Sequence, residues 1–158
     1  MAQLTNQTIE RTALSNLVSN EEYCRKVLPF IKEEYFTDRL EKVVFEEITS
    51  FVDKYRKMPT KISLEIEVES RQDLTETEHN KIVEIIKTLD STDVDMDWLV
   101  DTTEKFCKDK AIYNAIVDGI SIIDGKDKNR GADAIPSLLT DALAVSFDNA
   151  VGHDYFDD

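Results

Sequence analysis

Apolar residues recur every three or four positions through most of this chain, the period of a helix with one buried face. Ile9, Ala13, Leu14 and Leu17 predict a first helix over about Thr5 to Val18, with Glu10 and Arg11 on its other side. Ser19 and Glu22 have the spacing of a capping box, so a short second helix follows with Tyr23, Val27 and Phe30. Thr37 is placed to cap a third helix. Its stripe is Leu40, Val44, Ile48, Phe51, Val52 and Tyr55, and it should stop near Lys57 and Met58 because Pro59 disfavours helix before it.

Residues 62–69 alternate strictly between Ile, Leu or Val and a polar residue, the pattern of a strand. A lone strand has no partner for its edges, whereas Thr60 can cap a helix in which Ile62/Ile66 and Leu64/Val68 each stand one turn apart. A helix is therefore predicted there. Thr75 and Glu78 form another capping box before Ile82, Val83, Ile86 and Leu89. After an acidic stretch from Asp90 to Asp97, Asp95 or Asp97 can cap a long helix that starts at Trp98 and reaches Ile123. It carries Leu99, Phe106, Tyr113, Ile116, Val117, Ile120 and Ile123, and Gly119 weakens it without breaking it. Gly125 ends it, residues 126–131 turn, and Asp133 with Pro136 opens a last helix lined by Leu138, Leu139, Ala142, Leu143 and Phe147.

The expected fold is all-α: a compact helical head over residues 1–92, an antiparallel helical hairpin over 93–147, and the start of a linker over 148–158. A two-helix hairpin covers one face of each helix, so further apolar side chains need the head or another chain. This predicts self-association through Phe106, Tyr113, Ile116, Ile120, Leu139 and Leu143. Ile122 and Ile123, with the basic tip Lys126, Lys128 and Arg130, are candidate contacts for a different partner.

Composition narrows the function. A net charge of −14 repels a phosphate backbone, so strong direct nucleic-acid binding is not expected and protein partners are. Apolar runs as short as Ile120 to Ile123, and a polar N-terminus, exclude a membrane helix or signal peptide and predict a cytoplasmic protein. Cys24 and Cys107 have no ligand-like spacing and read as idle thiols.

No catalytic, cofactor-binding or metal-binding residue is expected in this chain. Gly119, Gly125 and Lys126 approach a phosphate-binding loop, but the glycines are one residue too far apart and Asp127 stands where a hydroxyl belongs. His79 and His153 lack companion ligands, and Asp93, Asp95 and Asp97 lack the glycine and glutamate of a calcium loop. Glu65, Glu67 and Glu69 read as a solvated face.

Several phrases, in order, resemble the N-terminal domain of DnaB-type replicative DNA helicases, particularly those of T-even-like bacteriophages. They are IERTALSNLV (9–18), EYFTD (34–38), VFEEITSFVDKYRKMPTKISL (44–64), WLVDTTEKFCKDKAIYNAI (98–116) and SFDNAVGHDYFDD (146–158). The resemblance implies a helical head and hairpin that form a collar, meeting themselves and a primase or helicase loader. It also implies that ATP and magnesium belong to a separate motor domain of the parent, beyond the linker that starts over residues 148–158, in the host cytoplasm if phage-encoded. A free-standing acidic adaptor, or a phage inhibitor of a replication protein, is the competing reading. A gene continuing into a GxxxxGK[ST] segment would decide against it.

Overall fold

The computed structural model describes residues 2–147, with side chains from Thr8 onward, as seven α-helices and two short 3-10 turns and no strand among the described residues. The all-α expectation holds. The helices are α1 (Ala2–Ser19), α2 (Glu21–Val27), α3 (Arg39–Tyr55), α4 (Lys61–Glu69), α5 (Glu76–Lys87), α6 (Met96–Ile123) and α7 (Ile135–Leu143).

Local chemistry sets most of these starts. Thr60 and Thr75 each accept a hydrogen bond from the amide three residues on, and the side chains of Ser63 and Glu78 in turn accept from the cap amide. Asp95 accepts from the amide of Trp98 at 2.9 Å. Two caps fall one residue later than the sequence suggests. The Ser19 hydroxyl turns back to the carbonyl of Ser15, and Asn20 caps α2 by accepting from Tyr23. At α3 the cap is Asp38, because Thr37 is already engaged: its amide donates to Glu10 at 2.6 Å and its hydroxyl accepts from Lys110 at 2.8 Å.

α4 is helical, as Thr60 predicts, and its alternating sequence has a consequence. Apolar residues two apart lie on opposite sides of a helix, so just one of the two pairs can face inward. Leu64 and Val68 are fully buried, while Ile62 and Ile66 stand out in solvent.

Burial of apolar surface joins α1 to α6 into one core: Leu14 and Leu17, Tyr23 and Val27, Val44, Ile48 and Val52, Leu64 and Val68, Ile82 and Ile86, then Leu99, Phe106 and Cys107. The first three turns of α6 thus pack with the head, although they lie beyond residue 92. A buried hydrogen bond of 2.8 Å between the Tyr23 and Thr103 hydroxyls locks α6 to α2. Further along, α6 leaves the head and pairs with α7.

The hairpin turn is built as its residues suggest. Gly125 adopts φ 76°, a left-handed conformation that costs glycine little, and the amide of Lys126 returns to the carbonyl of Ser121 at 3.0 Å. Pro136 sits in the first turn of α7, but Asp133 lies in the 3-10 turn Ala132–Ala134 and caps nothing. α7 is shorter than its apolar pattern implied, and Phe147 is not part of it. Glu104 accepts from the Phe147 amide at 2.8 Å and turns the chain back to the head, where Phe147 stacks on Phe30. Residues 148–158, the expected linker, lie outside the described residues, as does His153.

Candidate protein-interaction surface on the hairpin

The second half of α6 has two apolar faces and a partner for one. Toward α7 it presents Ala115, Gly119 and Ile122, all buried. A Cβ at Gly119 would meet Ile135 of α7 at 3.8 Å, an ordinary van der Waals contact, so Gly119 marks where α7 lies on α6 and an alanine would fit there as well. The opposite face carries Tyr113, Ile116, Val117, Ile120 and Ile123, between 42% and 72% exposed. α7 contributes Leu143, also exposed, and the half-buried Leu139.

That open face continues a buried one. Leu99, Phe106, Tyr113 and Ile120 succeed each other at seven-residue intervals, and a straight helix drifts by only about 20° per seven residues. All four therefore lie close to one line along α6. The head covers Leu99 and Phe106, and its cover ends before Tyr113. Lys110 and Asn114 mark that edge: Lys110 reaches Thr37, and Asn114 donates to the carbonyl of Glu34 at 3.2 Å.

Two of the sequence-chosen residues are thereby corrected. Phe106 is part of the head core, 4% exposed, and Ile122 lies under α7, so neither is free to touch another chain. Tyr113, Ile116, Ile120 and Leu143 are open, Leu139 partly so, and Val117 joins them. Val117 was detectable as the residue one turn from both Tyr113 and Ile120. At the tip, Ile123, Lys126 and Lys128 are exposed, but Arg130 pairs with Asp127 at 2.7 Å. The Asn129 amide and this guanidinium hold the Asp127 carboxyl below its ordinary range, so the tip is less basic than three cations suggest.

Other candidate groups have structural partners. Gly125 serves the helix stop, and Gly119 lies buried inside α6 against Ile135. Cys24 and Cys107 are buried, which pushes both thiols up to about 12, so they are protonated at neutral pH. Among the described residues no three His, Cys, Asp or Glu side chains converge as a metal site would require, and no helix is long and apolar enough to cross a membrane.

Comparison with known proteins accords with this architecture. The chain is 34% identical to the DnaB-like replicative helicase of Enterobacteria phage T4 over 153 residues, covering 92% of the chain and 32% of that helicase. It thus spans about a third of the length of the relative it matches. Residues 2–96 match the family described as DnaB-like helicase N terminal domain, and the chain belongs to that family.

Proposed function

We propose that this chain serves as the collar and protein-interaction domain of a replicative DNA helicase. It pairs with a second copy through the hairpin and gives a primase or helicase loader a place to dock. One observation carries the reading: a single apolar line along α6 is buried by the head at Leu99 and Phe106 and open at Tyr113 and Ile120. Each large apolar side chain contributes about 1.5–3 kcal/mol when fully buried, so a row of them favours pairing even after the cost of association. The exposed tip residues Ile123, Lys126 and Lys128 support contact with an acidic partner there. ATP, magnesium and unwinding belong to a motor domain, and the chain alone performs no catalysis. Its place of work is the cytoplasm.

The two native thiols are buried, which permits a direct test by cross-linking. Ile120→Cys puts a reactive thiol on the open face, and Lys105→Cys puts one on an exposed site at the head. A short bis-maleimide should join Ile120→Cys chains into covalent pairs and leave Lys105→Cys chains single. Equal yields from the two positions would overturn the reading.

A further inference from the structure

A carboxylate inside a protein is stable as an anion only when hydrogen bonds and cations replace the water it gives up. Two acids in the head fall short of this. Glu10 on α1 and Glu41 on α3 are 1% and 4% exposed, and each has one oxygen, Oε2 of Glu10 and Oε1 of Glu41, that meets no donor among the described residues. Their other oxygens are engaged. Glu10 Oε1 accepts from the Thr37 amide at 2.6 Å, and Glu41 Oε2 accepts from Arg11 at 2.7 Å.

The chain brings the two acids together at the start of α3. Thr37 precedes the cap Asp38, Glu41 lies in the first turn, and Arg11, the residue after Glu10, reaches across from α1 to it. One guanidinium thus serves two buried acids, and only in part. The Arg11 side chain is 40% exposed and also donates to Thr88 at 3.4 Å, at the end of α5, in an open cleft that it shares with Lys81 and Glu84. Asp38 brings a third negative charge close to both acids. From α6, Lys110 acts on Glu10 through space, but its ammonium group donates to the Thr37 hydroxyl at 2.8 Å.

We propose that Glu10 and Glu41 form a single proton site: they hold one proton between them after the exposed acids of the chain have lost theirs, and Lys110 of α6 sets the pH at which it leaves to solvent. Two anions in one dry site repel each other, so the pair gives up its second proton late. Burial pushes both carboxyls above the ordinary 4.5, with Glu41 adding to the effect at Glu10 and Asp38 at both, and the Thr37 amide, Lys110 and Arg11 offset only part of it. Linkage makes the coupling to Lys110 reciprocal: the bare pair holds this lysine more tightly than the protonated pair does. Lys110 stands where the head ceases to cover α6, 5.9 Å from the ring of Tyr113, the first residue of the open face. The proton therefore bears on the anchor of the hairpin.

The test is an NMR titration of the chain carrying carbon-13 at its glutamate carboxyls, each assigned through its own backbone amide. Exposed glutamates should change near the ordinary 4.5. Glu10 and Glu41 should show a further step at higher pH, shared by both signals, whose summed amplitude is that of one proton. In Glu41→Gln the remaining Glu10 should titrate in one step, below the shared one. Lys110→Met should move the shared step upward by about half a pH unit, while Lys105→Met, an exposed lysine of α6 paired with Asp109, should leave it in place. Signals of Glu10 and Glu41 that finish changing together with the exposed acids would overturn the proposal. So would a late step confined to one of the two, or one that ignores Lys110→Met.

Discussion

Removing the Tyr23–Thr103 hydrogen bond from one side or the other should have unequal effects, because its direction is fixed. The Thr103 hydroxyl donates its single proton to the carbonyl of Leu99 at 2.7 Å, and a carbonyl can only accept. Tyr23 must therefore donate to Thr103. Burial pushes its phenol well above the ordinary value, so it keeps that proton at any pH where the protein folds. In Tyr23→Phe, Thr103 loses a donor but retains its own bond to Leu99, which costs about 0.5–1.5 kcal/mol. In Thr103→Val, a phenol O–H is left buried with nothing to accept it, which costs about 1–3 kcal/mol. The double variant has no stranded donor. It should be more stable than Thr103→Val alone, an inversion that independent contributions cannot produce. Urea unfolding followed by circular dichroism measures this, and each 1 kcal/mol should appear as about 2–4 °C in Tm for a chain of this size. A double variant as unstable as the sum of the two singles would refute the assigned direction.

Two further outcomes follow from the head. Glu10 is buried with one carboxyl oxygen unpartnered, and desolvation raises its pKa above the ordinary 4.5, with help from Glu41. A raised folded-state value means that its contribution is greatest below the ordinary carboxylate range and is lost as pH rises through the folded-state value. Glu10→Gln keeps an acceptor for the Thr37 amide and should therefore raise Tm at neutral pH and flatten the fall in Tm as pH rises above the ordinary carboxylate value of 4.5. An unchanged pH profile would contradict it. On α4, Leu64→Ala should cost about 2–5 kcal/mol and Ile62→Ser no more than about 0.5 kcal/mol in chemical denaturation. A larger cost at Ile62 than at Leu64 would mean that the helix is turned the other way.

Much of the head was legible from sequence because its signals are local. The Thr60 cap and the Thr75 box sit within four residues of the helix starts they fix, and Asp95 needed nothing but its own neighbours. What sequence missed depends on distant groups. Thr37 has the right chemistry for a cap, but Glu10 and Lys110, remote in sequence, occupy both its amide and its hydroxyl. Nothing in 62–69 says which apolar pair faces the core, since the neighbours that decide are on α3 and α5. The candidate surface shows the same division. Helical spacing places Phe106, Tyr113 and Ile120 on one line and is right to do so. Where the head ceases to cover that line is a property of the packed molecule, which is why Phe106 was assigned to the open face and Val117 was overlooked. Phe147 was drawn into α7 by its spacing from Leu143, whereas Glu104 and Phe30 hold it on the head.

The central claim is that the open α6 face pairs with its counterpart on another copy, and sedimentation over a range of concentrations tests it most directly. The wild-type chain should pass reversibly from monomers to pairs as concentration rises. Tyr113→Asp/Ile120→Asp, which sets two charges in the proposed dry contact, should remain monomeric at every concentration with its helical circular dichroism intact. A wild type that stays monomeric at high concentration, or a double variant that pairs as before, would contradict the account.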